Sequence, residues 1–274
     1  MPDPSQVSGA SVAGIAEAVP APGIAEVILD RAAQRNSLTL DVLEGLRLTF
    51  ERLGARDDIG AIVLLARGPA FSAGHDLKEI TAKRAEADGG RAFFERSMQA
   101  CAAMMQSIMA CPKPVIAAVE GTATAAGCQL VATCDLAVAA EDARFCTPGV
   151  NIGLFCSTPM VALTRNVPRK RAMEMLLLGE MIDAERAAAW GLVNRVVPKG
   201  QARETALGLA RQIASKSPLT VAIGKRTFYD QIHLPLDEAY ELAARVMVEN
   251  LLARDAEEGI SAFVEKRTPE WKGC

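Results

Sequence analysis

Two loops carry the residue types with which this chain could do chemistry. In each, an apolar strand-like run gives way to a helix-like one through small residues. The first is Phe71-Ser72-Ala73-Gly74-His75-Asp76-Leu77, and the second is Gly121-Thr122-Ala123-Thr124-Ala125-Ala126-Gly127-Cys128-Gln129-Leu130. Small residues let a ligand approach the main chain, and a helix N-terminus offers unpaired N–H groups at the positive end of its dipole. Two such loops facing each other would aim two backbone donors at one developing oxyanion. Tight packing of the helix start is the competing explanation for the same small residues. Neither loop is a phosphate cradle, because the chain contains no GxxxxGK[ST] and no GxGxxG.

The remaining reactive side chains divide between chemistry and structure. Asp76 is placed either to act on a ligand or to cap the turn that follows it. The seven cysteines (101, 111, 128, 134, 146, 156 and 274) lack CxxC pairs and mostly stand in apolar stretches. They read as reduced, buried thiols. Nothing near Cys146 or Cys156 in sequence would lower a thiol pKa. With two histidines and no ligand-like neighbours, no metal site is expected. Arg165, Arg169, Lys170 and Arg171 cluster around Pro168, as a solvated helix face, a subunit contact or a phosphate contact. His233 is given no role.

Composition narrows the classes. The chain has 274 residues, 30 Lys+Arg against 33 Asp+Glu, a formal charge of −3 and 50% hydrophobic residues. No basic excess marks a nucleic-acid binder, and the apolar content excludes disorder for most of the chain. The longest apolar runs are too short to span a membrane. The first 22 residues lack Lys and Arg, against a secretory or mitochondrial leader, so a loose tail over 1–22 and a cytoplasmic location are expected.

The elements that must position the loops follow from periodicity. Strands are predicted over 25–29, 61–66, 115–119 and 136–140, and helices over 39–53, 91–109 and 126–133. This β-α rhythm indicates an α/β layer fold. From Pro159 onward helices dominate (168–178, 184–190, 202–215, 219–229, 236–252 and 256–266), with a short strand over 193–197. A core over 23–200 and a helical region over 201–274 are expected.

Further motifs accompany the two loops, in order: Leu29-Asp30-Arg31 with Asn36-Ser37-Leu38, Pro112-Lys113-Pro114-Val115-Ile116-Ala117, Cys134-Asp135, Trp190-Gly191-Leu192-Val193 and the ending Glu258-Gly259-Ile260-Ser261-Ala262-Phe263. Together they resemble the crotonase (enoyl-CoA hydratase/isomerase) superfamily over nearly the whole chain. The second loop and Thr147-Pro148-Gly149-Val150-Asn151-Ile152-Gly153-Leu154-Phe155-Cys156 bring the likeness closer to the branch called enoyl-CoA hydratase domain-containing protein 3. The resemblance implies an α/β spiral of ββα units with a helical C-terminal trimerisation region, assembled as a homotrimer or dimer of trimers. It implies lyase or isomerase chemistry of fatty acid metabolism on an acyl-CoA thioester, with coenzyme A as part of the substrate and no separate cofactor. The thioester oxygen would sit between the backbone N–H groups of His75 and Ala126. Arg35, Ala73, Asp76 and Leu77 fall where the family holds adenine and pantetheine. Phe263 and Lys266 fall where a C-terminal helix, sometimes a neighbour's, closes over the nucleotide.

The chain departs from that pattern where the hydratases place their two glutamates, which here are Gln129 and Gly149. An amide takes no proton near neutral pH and glycine has no side chain, so hydration by the family's route is expected to be weak. Glutamate at both positions is expected to raise it. A Gly-His-Asp like that of Gly74-His75-Asp76 occurs in the decarboxylase branch, but the tyrosine that branch adds is here Cys156. The His75 ring would then flank the thioester, or it points outward and hydrogen-bonds locally. The implied function is enolate stabilisation by a backbone oxyanion hole. Its alternative is a non-catalytic acyl-CoA-binding trimer.

Overall fold

In the computed structural model, which describes residues 14–274, the chain runs through β1 (Ile15–Ala21), β2 (Gly23–Leu29), α1 (Leu40–Gly54), β3 (Ile59–Ala66), β4 (Ala70–Ser72), α2 (Leu77–Lys83), α3 (Arg91–Ala110), β5 (Val115–Val119), β6 (Thr122–Thr124) and α4 (Ala126–Thr133). It continues through β7 (Leu136–Ala140), β8 (Arg144–Cys146), α5 (Ser157–Asn166), α6 (Arg169–Leu178), β9 (Ile182–Asp183), α7 (Ala184–Ala189), β10 (Arg195–Val197), α8 (Ala202–Ala214), α9 (Pro218–Gln231), α10 (Leu236–Leu251) and α11 (Arg254–Glu265).

Two sheets run through the molecule. The larger has the order β1-β2-β3-β5-β7-β10 and the smaller β4-β6-β8-β9. From β2 to β10 the larger sheet is parallel, while β1 joins β2 antiparallel. After β3, β5 and β7 the chain gives a short strand to the second sheet before moving on, which is the expected spiral of ββα turns. β5 is buried along its whole length, as parallel strands covered on both faces must be. One face meets α1 and α3 through Leu43, Leu46, Phe50, Met104 and Ile108. Thr39 starts α1 by accepting from the Val42 N–H.

Two expected boundaries move. The loose tail over 1–22 is not one from Ile15 onward: β1 pairs with β2 along the sheet edge, and residues 1–13 lie outside the described residues. The strand is hard to read because Pro20 interrupts it. Pro20 stands in the irregularity between Ala18 and Ala21, at an edge where a missing N–H is tolerated. The core also extends past residue 200. Helix α8 covers the second face of the large sheet, setting Ala202, Ala206, Leu207 and Ala210 against Ile24, Ala61, Val63, Ile116 and Val138.

Helix α9 is fastened to the core by a buried charge cluster. Lys225 Nζ on α9 donates to Asp135 Oδ2 at 2.6 Å and to the carbonyls of Ile108 and Lys113 at 2.8 and 3.2 Å. Asp135 also accepts from the Val115 N–H (2.7 Å) and the Tyr229 hydroxyl (2.8 Å). Burial and the adjacent carboxylate push the Tyr229 phenol well above its ordinary pKa. Among the described residues no helix is long and apolar enough to cross a membrane.

With the side chains of Lys225 and Asp135 only 6% and 15% exposed, Lys225→Ala strands a buried carboxylate. It is expected to lower unfolding stability by about 3–5 kcal/mol. Tyr229→Phe removes one hydrogen bond and should cost about 1 kcal/mol. Denaturant titration of the three proteins checks both values.

Candidate active site

The first loop is held by a buried network centred on Asn36. Its Nδ2 donates to the carbonyls of Arg67 and Ala70, both at 2.8 Å, and its Oδ1 accepts from the Arg31 N–H at 2.8 Å. The Ser72 hydroxyl donates to the Asn36 carbonyl and accepts from the Gly74 N–H. Leu38 makes a parallel bridge to His75, with its N–H donating to the Gly74 carbonyl and its own carbonyl accepting from the Asp76 N–H. That geometry turns the intervening His75 N–H away from Leu38.

The second loop meets the first at van der Waals limits. A Cβ on Gly127 would lie 2.3 Å from the Ser72 carbonyl oxygen, so only glycine lets α4 start against β4. One on Gly74 would lie 2.9 Å from Ala125 Cβ and 3.0 Å from the Ala126 nitrogen. Ala125 has φ +50°, which strains an alanine by about 1–3 kcal/mol. Its N–H donates to the Cys146 carbonyl and its carbonyl accepts from the Gln129 N–H, both at 3.0 Å. Ala126 is the first residue of α4, where a helix leaves its N–H groups without internal acceptors. Tight packing therefore explains Gly127, whereas the His75 and Ala126 N–H groups lie in neighbouring turns.

Beside them opens a cavity of about 530 Å³. Ala73, His75, Leu77, Ala126 and Gly149 line it, five of the residues singled out in the sequence. Ile80 of α2, Met98 of α3 and residues of the 148–159 segment complete the wall. Ile80 follows Leu77 by one helical turn, a spacing that would have revealed it. Met98 had no such signal, because helix α3 reaches the cavity only through the tertiary fold.

Other singled-out residues lie elsewhere. Asp76 does not line the cavity. It caps α2 by accepting from the Lys78 and Glu79 N–H groups, accepts from the Ser37 hydroxyl at 2.8 Å and faces Arg31 at 3.6 Å. Burial pushes its carboxyl up, but these donors outweigh it and hold the pKa below the usual range. Arg35 is exposed and contributes its carbonyl to the Ala73 N–H. Phe263 is 84% exposed on α11 and Lys266 ends that helix in a left-handed turn; neither reaches the cavity within one chain.

The two positions that lack glutamate differ from each other. Gln129 is buried and directs Oε1 at the Cys101 thiol, 3.9 Å away, rather than lining the cavity. Gly149 does line it, but a Cβ there would come within 2.9 Å of both Cys156 Sγ and the Leu154 carbonyl oxygen. The expectation that glutamate at both positions raises hydration meets this clash at position 149.

His75 does not point outward. Both ring nitrogens are buried and have no hydrogen-bond partner among the described residues, and His75 lines the cavity. Burial lowers its pKa below the ordinary histidine value, so the imidazole is neutral at pH 7. Cys156 accepts from the Gly149 N–H at 3.3 Å; burial raises its pKa, and that one donor only partly offsets the rise. Burial takes Cys146 up to about 12. These are core thiols. Among the described residues no group of His, Cys, Asp and Glu is arranged to hold a metal.

The enoyl-CoA hydratase/isomerase family model matches residues 21–274. The rat protein named enoyl-CoA hydratase domain-containing protein 3, mitochondrial, is 48% identical over 249 residues, covering 91% of this chain and 81% of that protein. Its human counterpart is 47% identical, with 91% and 80% covered. The crystal structure of that human protein matches with a TM-score of 0.89 at 46% identity, covering 94% of this chain and 100% of the other. A crystal structure of enoyl-CoA hydratase from Mycobacterium smegmatis also gives 0.89, at 45% identity and with 94% and 98% covered. The chain belongs to the enoyl-CoA hydratase/isomerase family.

Proposed function

We propose that this protein binds an acyl-CoA thioester and stabilises the enolate formed from it, with the N–H groups of His75 and Ala126 as the oxyanion hole. The observation that carries the reading is the apposition of Gly74 to the Ala125–Ala126 peptide at the edge of a largely apolar cavity. A thioester oxygen between those donors gains negative charge as the α-carbon loses a substituent. Losing one such donor typically costs about 3–4 kcal/mol. Coenzyme A enters as part of the substrate, with Arg35, Ala73 and Leu77 along its path and Asp76 holding the turn that presents Leu77.

Acid–base help is what the site lacks. No carboxylate lines the cavity among the described residues, and each missing group forfeits about 10²–10⁴ in rate. The neutral His75 ring is the proton-handling side chain that remains. Isomerisation, decarboxylation and a slow lyase reaction all pass through the stabilised enolate and are the reactions this reading admits. The second reading, a non-catalytic acyl-CoA-binding trimer, is favoured by Gln129 and Gly149.

A homotrimer or dimer of trimers belongs to the proposal. Leu236, Tyr240, Met247 and Leu252 of the α10 region are exposed, with Leu252 at 82%, and a neighbour's Phe263 and Lys266 would close over the nucleotide. The proposed location is the cytoplasm. The rat and human relatives are named as mitochondrial, and a set of unbridged cysteines suits either reducing compartment.

Titration calorimetry with an acyl-CoA and its parent fatty acid tests the reading directly. The thioester is expected to bind at least tenfold tighter, and equal or absent binding of both would refute it. Gln129→Glu combined with Gly149→Glu should lose about 1–3 kcal/mol of stability by overpacking and gain no hydration, as followed by loss of enoyl-thioester ultraviolet absorbance. A folded double variant that hydrates rapidly would contradict this.

The buried neutral imidazole also sets a pH dependence. Its folded pKa lies below the unfolded value near 6.5. The stability it contributes is therefore complete above that value and is lost as pH falls from there through the folded pKa. The slope is at most about 1.4 kcal/mol per pH unit. Denaturant midpoints between pH 7.5 and 5 should fall less steeply for His75→Phe than for the unaltered protein.

A further inference from the structure

We infer that the acyl chain this cavity receives is uncharged beyond its α-carbon, so that thioesters carrying a distal carboxylate are excluded. The inference rests on the acyl-CoA reading above and deepens it.

The argument begins with what borders the space. Leu77, Ile80, Met98, Ile152, Leu154 and Phe155 give it apolar walls, and no Asp, Glu, Lys or Arg is among its lining residues. The polar side chains there carry no charge. The Ser157 hydroxyl donates to the Phe155 carbonyl at 3.4 Å, the Asn151 amide reaches the Gly179 carbonyl at 3.5 Å, and the His75 imidazole is neutral.

The cations of the two wall helices are directed elsewhere. Lys83 pairs with Glu86 at 2.7 Å and lies over the Phe93 ring, and Arg84 lies over Phe94. Arg96 pairs with Glu44 at 2.8 Å. Lys78 adjoins Leu77 in sequence, yet it is exposed and does not line the cavity. A carboxylate entering this space would lose water and find no counter-charge, which is the unfavourable half of a buried ion pair. A methyl group in its place gains from the same walls.

Valeryl-CoA and glutaryl-CoA make the matched test, since they share five acyl carbons and differ only in ending as methyl or carboxylate. In calorimetric titration valeryl-CoA is expected to bind at least tenfold tighter than glutaryl-CoA. Met98→Arg, which puts a cation on the α3 wall in place of another unbranched side chain, should narrow the ratio below threefold. Ile80→Arg on α2 serves as the second variant should the first not fold. Equal binding of the two thioesters by the unaltered protein, both tighter than free acids, would overturn the inference while leaving the acyl-CoA reading intact. A ratio that persists unchanged in a folded arginine variant would overturn it too. Failure of valeryl-CoA to bind better than valerate would sink both.

Discussion

Everything at the candidate site depends on two turns approaching more closely than side chains allow. Where α4 starts, its backbone rests on Ser72 through the bare Cα of Gly127, and Gly74 lies close against the Ala125–Ala126 peptide. This contact fixes the relative height of β4 and β6, whose parallel pairing opens the second sheet. It also sets the turn that carries His75 beside the turn that carries Ala126. The left-handed Ala125 is the cost of that arrangement, held by its hydrogen bonds to the Cys146 carbonyl and the Gln129 N–H. Strain retained at a site by rigid surroundings is a common feature of functional loops.

The carboxylates near this contact serve the scaffold. Asp76 caps α2 while bound by Ser37 and Arg31, and Glu79 accepts from the Leu40 N–H at the start of α1. Glu120, just ahead of the second loop, accepts from the N–H groups of Gly200 and Ala202 at the start of α8. Each lies on the chain beside or near a cavity residue, and each is turned away from the cavity. The outcome is a cavity with no Asp, Glu, Lys or Arg among its lining residues.

The amino-acid sequence reveals the fold wherever burial is two-sided. The continuous apolar runs over 61–66, 115–119 and 136–140 are the central strands, and the 3–4 spacing over 39–53 is α1. Strands of two or three residues such as β4, β6, β8 and β9 leave no periodic trace, because so few residues cannot display an alternation. Helix α8 reads as part of an appendage because its buried stripe is mostly alanine, yet small residues are what let a helix lie close to a sheet. At the site, the loops and their donors were legible from small residues and a family likeness. The inward turn of His75 and the crowding at Gly149 were not, since both depend on tertiary neighbours distant along the chain.

The six buried cysteines have a practical meaning of their own. They sit on α3, before β5, on and just after α4, on β8 and at the start of α5, with Cys128, Cys146 and Cys156 near one another. Burial raises the pKa of every one of them, with Cys101 reaching about 12. A thiol in that state is shielded from alkylation and oxidation until its surroundings open. The native chain thus carries six built-in reporters, and the order in which they become reactive would map which layers of the spiral open first.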